Sequence, residues 1–118
     1  MLFSANQQGM VTVVKLIGQF CFGDPVDKFS LEIRKLFNNG CVKIVLDMEL
    51  INFIDSSGIG QLVECSKSAR SHGGWLKLLN VPPQTLRVLE TARLLSFFEI
   101  INDLSEALEL SAKKQETT

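Results

Sequence analysis

From Met10 to Ile17 the chain reads Met-Val-Thr-Val-Val-Lys-Leu-Ile, and the polar residues Asn6-Gln7-Gln8-Gly9 separate this run from a short apolar start. β-Branched runs bounded by turn residues are strand signals, so the pattern predicts an N-terminal hairpin. At Asp24-Pro25 the period changes. Val26, Phe29, Ile33, Leu36 and Phe37 recur at helical spacing, with Asp24 as the N-cap and Pro25 at the first helical position, until Asn38-Asn39-Gly40 ends the helix. Cys41 to Leu46 is apolar except for Lys43 and reads as a central strand ending at Asp47, followed by a loop to Asp55.

The helical period returns after Asp55. Ile59, Leu62, Val63, Ser66 and Ala69 form a narrow stripe closed by Gly73-Gly74, and the first turn of this second helix is Asp55-Ser56-Ser57-Gly58. Trp75 to Leu79 reads as the next strand, Asn80-Val81-Pro82-Pro83 breaks it, and a third helix runs through Leu86, Leu89 and Glu90. Phe97 to Ile101 reads as the last strand. Asp103 then caps a final helix, with Glu106 as its capping-box partner and Leu104, Ala107 and Leu108 facing inward. A hairpin followed by βαβαβα implies an α/β fold in which parallel strands are joined by right-handed crossovers.

Composition narrows the function. The 118 residues are 46% hydrophobic and 21% charged, which suits one folded domain, and we expect it over residues 1–112 with a polar tail at 113–118. Twelve basic residues face thirteen acidic ones in no long run of either sign, an unpromising surface for nucleic acid. No stretch has the roughly 20 apolar residues of a membrane span, and no basic segment leads into an apolar one at the start, so a cytoplasmic protein without membrane insertion is expected. Cys21, Cys41 and Cys65 have no CxxC spacing and read as small buried hydrophobes in a reducing compartment, not as metal ligands. The pattern implies no metal and no cofactor, and it fixes no oligomeric state.

The chemistry is expected where loops leave the C-terminal ends of the parallel strands, the usual functional edge of such sheets. Two loops belong there, Gly18 to Asp24 and Asp47 to Asp55, and they should be neighbours. A helix's first turn has free N–H groups and the positive end of a dipole, which favours an anion at Ser56 by about 0.3–2 kcal/mol. Gly58 leaves room for close approach of another backbone. Read on residues alone, Asp55-Ser56-Ser57-Gly58 is a capped helix start first and an anion site second.

The stretch Ile51-Asn52-Phe53-Ile54-Asp55-Ser56-Ser57-Gly58-Ile59-Gly60 resembles the signature of the STAS domain family, especially of bacterial anti-sigma-factor antagonists. The likeness continues through Gly73-Gly74, through Leu89-Glu90-Thr91-Ala92-Arg93-Leu94-Leu95-Ser96-Phe97-Phe98-Glu99-Ile100 and through Leu104-Ser105-Glu106-Ala107-Leu108. It implies the STAS fold, a mixed and mostly parallel sheet of about five strands with about four helices. It also implies a switch. In such antagonists an anti-sigma factor that is itself an ATP-dependent serine kinase phosphorylates the first serine after the aspartate, here Ser56, and a PP2C-type phosphatase removes the phosphate. The unphosphorylated form binds the anti-sigma factor and releases a sigma factor. Asp55 matches the family aspartate, with a role in holding the loop or engaging the kinase beside its plain role as an N-cap. Ser57 matches the second position.

The Gly18 loop departs from the family. Many antagonists carry Gly-Glu-Leu-Asp there, whereas this chain reads Gly18-Gln19-Phe20-Cys21-Phe22-Gly23-Asp24 without either acidic position. Phe20 and Phe22 read as an exposed apolar contact for the partner beside Ser56, or one of them plugs the core beneath the first helix. STAS domains also serve stress-sensing assemblies, other kinase and phosphatase pairs, and lipid or anion transport systems, and the altered loop keeps those clients open. Enzymatic use of Ser56 is disfavoured. A nucleophilic serine needs a base in reach, and the only histidine, His72, lies 16 residues along the same helix, about 24 Å away at 1.5 Å per residue. Beside Gly73-Gly74, His72 reads as a solvated helix-end residue.

Overall fold

The computed structural model describes residues 1–108. Five strands form one sheet in sequence order: β1 Leu2–Gln8, β2 Val11–Phe20, β3 Lys43–Ile54, β4 Trp75–Leu79 and β5 Glu99–Ile101. β1 is antiparallel to β2 and every other neighbouring pair is parallel. Helices α1 Asp24–Asn38, α2 Ser56–Ser71 and α3 Pro83–Thr91 connect the parallel strands, and a 3-10 turn, Leu95–Phe97, precedes β5. A sequential parallel order with crossovers of one hand places connecting helices on one face of the sheet. The other face receives the helical residues 104–108.

Two cores follow from that layering. On one face Val14, Leu16 and Phe20 of β2, Ile44, Leu46 and Met48 of β3, and Leu76 and Leu78 of β4 pack against Phe29 and Ile33 of α1, Leu62 and Ala69 of α2, and Leu89 of α3. On the other, Val11, Val45, Leu79 and Ile101 pack against Ala107. Alternation along each strand sends successive residues to opposite cores. Asp103 caps the last helix as expected, its Oδ1 accepting from Ser105 N at 3.0 Å, and that bond holds its carboxyl below the usual range. The tail at 113–118 lies outside the described residues.

The elements agree with the sequence pattern in kind and order, and differ in extent. The hairpin turn is Gly9-Met10, because Gln8 pairs with Val11, and Gly9 takes the positive φ such a tight turn requires. α1 begins one residue earlier than expected, with Gly23 and not Asp24 at the N-cap. Phe97 to Ile101 is not all strand, since Phe97 closes the 3-10 turn and only Glu99–Ile101 pairs with β4.

The largest correction is β3. It continues through the residues expected to form a loop after Asp47, and β2 likewise takes in Gly18, Gln19 and Phe20. Register shifts between Lys15 and Ile17 and between Gly18 and Gln19 carry the two strands together to the end of the sheet. These irregularities change the inward spacing of β3 from two residues to three, so Met48, Ile51 and Ile54 are the buried ones. A strand that loses its period-two alternation looks like a loop in sequence.

Candidate functional site

Parallel pairing of Gly18 with Ile51, Gln19 with Phe53 and Phe20 with Ile54 brings the ends of β2 and β3 side by side. Each strand then gives way to a helix within three residues. β2 leads through Cys21, Phe22 and Gly23 to α1, and β3 leads through Asp55 to α2. The two loops expected to be neighbours are therefore neighbours, though much shorter than the sequence suggested.

Asp55 joins them. Its Oδ1 accepts from the backbone N–H of Gly58 at 3.0 Å, the N-cap bond of α2. Its Oδ2 accepts from the backbone N–H of Phe22 at 3.0 Å, across the gap to the other strand end. The Asp55 N–H donates to Phe20 O at 3.4 Å. One carboxylate thus caps a helix and anchors the β2–α1 connection, so both roles read from the sequence, cap and loop holder, are filled at once. The bond from Phe22, then that from Gly58, holds the Asp55 carboxyl below its ordinary range.

That depression fixes a sign for pH dependence. The folded protein releases this proton more readily than the unfolded chain does, so Asp55 contributes stability above the ordinary carboxylate range and loses it as pH falls through the folded value. Asp55→Asn keeps a capping oxygen but no charge. Its stability is expected to fall less than that of the wild type between about pH 5 and pH 2, measured by urea unfolding at each pH. Parallel acid limbs in the two proteins would contradict the assignment.

Ser56 is the first residue of α2 and is exposed, its backbone already within the helix and its hydroxyl outside the capping bond. Ser57 turns the other way. It lines a cleft of about 550 Å³ between the starts of α1 and α2, together with Phe22, Gly23, Val26, Asp27, Gly60, Gln61 and Glu64. Gly58 is buried, and a Cβ there would run into the Phe20 carbonyl oxygen and come within 2.7 Å of Ile54 Cγ1. The absence of a side chain at Gly58 is what lets the strand end of β2 lie on the first turn of α2.

The two phenylalanines part company. Phe20 is 0% exposed and packs on Phe29 with ring centroids 4.8 Å apart, so it is the core plug and, contrary to the first expectation, no part of the exposed contact surface. Phe22 is 80% exposed, and Phe53, at the end of β3, is 51% exposed. Sequence reasoning misses Phe53, because residues 47–55 read as a loop. It also misses the cleft, although Ser57, Gly60, Gln61 and Glu64 stand at i, i+3, i+4 and i+7 and declare one helix face.

The remaining chemistry lies elsewhere. His72 sits at the far end of α2, its ring stacked on Phe37 at 5.4 Å and its Nδ1 2.7 Å from Ser68 O. Cys65 is buried and its thiol is pushed up to about 12 by desolvation, while Cys21 and Cys41 are half-buried. Among the described residues no group of three or more His, Cys, Asp and Glu side chains is gathered to hold a metal. No helix among them is long and apolar enough to cross a membrane.

These features define a small α/β binding domain that presents a serine at a helix start, beside an exposed aromatic loop. The chain belongs to the STAS domain family, whose model matches residues 3–107. A Thermotoga neapolitana protein provisionally named an anti-sigma factor antagonist homolog is 35% identical over 75 residues, an alignment spanning 64% of this chain and 66% of that relative. The crystal structure of a Thermotoga maritima protein with a similarly provisional name matches at TM-score 0.77 and 26% identity, covering 91% of this chain and 92% of the other. The phosphorylated form of the Bacillus cell fate determinant SpoIIAA shares the fold at TM-score 0.72 and 21% identity, covering 93% of this chain and 99% of that one.

Proposed function

We infer that the protein is a cytoplasmic anti-sigma-factor antagonist switched by phosphorylation of Ser56. Unphosphorylated, it binds an anti-sigma factor that is also a serine kinase, and so releases a sigma factor for transcription. Phosphate on Ser56 ends that binding, and a PP2C-type phosphatase restores it. The observation that carries the reading is the placement of Ser56, exposed at the positive end of α2 and one residue from the Asp55 bridge to the Phe22 loop. A helix N-terminus accommodates an added anion without refolding, and the names of the Thermotoga relatives point to the same class of client.

A second reading keeps the switch and changes the client to another partner-switching, stress-sensing or transport-regulating complex. It is favoured by the loop itself, which presents exposed Phe22 and carries Gln19 and Cys21 where the antagonists it resembles carry acids. An apolar contact recognises a different surface from an acidic one.

Incubation with ATP and a candidate anti-sigma kinase, followed by mass spectrometry, tests the site. One phosphate is expected on the wild type and on Ser57→Ala, and none on Ser56→Ala. If Ser56→Ala accepts phosphate as the wild type does, while Ser57→Ala does not, the switch sits on the other hydroxyl.

A further inference from the structure

The sheet ends in two unlike edges. β5 is three residues long, and its Glu99 is tied to the Lys77 ammonium at 2.8 Å, so a short strand with a fixed charge closes that side. β1 is seven residues long, Leu-Phe-Ser-Ala-Asn-Gln-Gln, mostly exposed, with no proline, no glycine and no charge. Among the described residues no strand pairs with its outer edge. Soluble proteins ordinarily blunt such an edge with lysine, proline, a bulge or brevity, because its unpaired N–H and C=O groups template another strand. β1 has none of these devices, and its pairing with β2 is regular throughout.

We propose that β1 pairs with β1 of a second copy, antiparallel about a two-fold axis at Ala5, to give a continuous ten-stranded sheet in a homodimer. The strand is self-complementary in that register. Ser4 stands opposite Asn6 of the second copy and Phe3 opposite Gln7, polar and aromatic pairs of the kind that stabilise antiparallel ladders. Leu2, which is 61% exposed, lies beside the aliphatic stem of Gln8 of the second copy. A strand without charge meets its own copy without repulsion, and a chain of net charge −1 adds little. That neutrality favours a second copy over a charged foreign segment. The edge shares no residue with the Ser56 site or its cleft, so the dimer leaves the switch open.

Light scattering on the eluting protein tests the dimer. Wild type should approach twice the 13.1 kDa chain mass as concentration rises towards about 1 mM. Ala5→Lys sets two ammonium groups opposite each other and should weaken self-association at least about tenfold, as should Ala5→Glu. An equimolar mixture of the two variants should recover a dimer, which a merely misfolded variant would not do. A wild type that stays monomeric at the highest concentration overturns the proposal, and so does a dimer that neither variant weakens or that the mixture fails to restore.

Discussion

Ser56→Asp should lose most of the affinity for the anti-sigma partner while keeping the fold. A phosphoserine brings about −1.5 to −2 charges, and an unpaired charge taken out of water at an interface costs about 2–5 kcal/mol. At 1.4 kcal/mol per factor of ten this is roughly 30- to 4,000-fold in affinity, with a single aspartate near the lower bound and the phosphorylated protein higher. The fold is spared because Asp55, not Ser56, supplies the capping oxygen of α2. An anion at Ser56 also faces the positive end of the helix, worth about 0.3–1 kcal/mol at an exposed position. Repulsion from the Asp55 carboxylate next to it offsets part of that. Titration calorimetry against the partner, paired with thermal melts, reads both quantities. Equal affinity in the two proteins would remove the switch, whereas a collapsed melting temperature would mean that α2 does not tolerate the charge.

The fold was legible wherever one period held. α1 shows its 3.6 period over four turns, and Phe29, Ile33 and Phe37 are its buried residues, as the pattern required. Legibility failed where two strands adjust to each other. The extension of β3 past Asp47 depends on shifts in its pairing with β2, and pairing is a property of two segments that neither displays alone. Hence the same misreading shortened β2, lengthened both loops and hid Phe53 as a strand residue facing solvent.

At the site, residue types were legible and their division of labour was not. Asp55 has the cap preference that any sequence reader would assign it. Its second oxygen on the Phe22 N–H spans 33 residues of chain, and only the finished sheet brings those atoms together. The same holds for Phe20 and Phe22. Two phenylalanines separated by one residue present the same chemistry in sequence, and the strand ends between them. Phe20, the last residue of β2, points into the core, while Phe22, beyond the strand, is turned to solvent.

The close approach at Gly58 gives the largest expected effect on stability. In an unobstructed helix, Gly→Ala is favourable by up to about 1 kcal/mol, and Gly60, with nothing within 4 Å of its added Cβ, should show that gain. Gly58→Ala has the same propensity term and the opposite outcome. Its Cβ meets the Phe20 carbonyl oxygen and the Ile54 side chain, and the first of these is backbone held by the Asp55 N–H. Strand β2 cannot move aside without lifting Phe20 from Phe29, so the strain of overpacking, about 1–3 kcal/mol, should exceed the propensity gain. The melting temperature should drop by several degrees in Gly58→Ala, since about 1 kcal/mol shifts a domain of this size by roughly 4 °C, and rise slightly in Gly60→Ala. Because the displaced carbonyl lies one peptide before the Phe22 loop, Gly58→Ala should also weaken partner binding, which Gly60→Ala tests as a neighbour on the same helix. Equal stability of the two variants would mean that β2 does not rest on the first turn of α2, and the Phe22 loop would then have no fixed place beside Ser56.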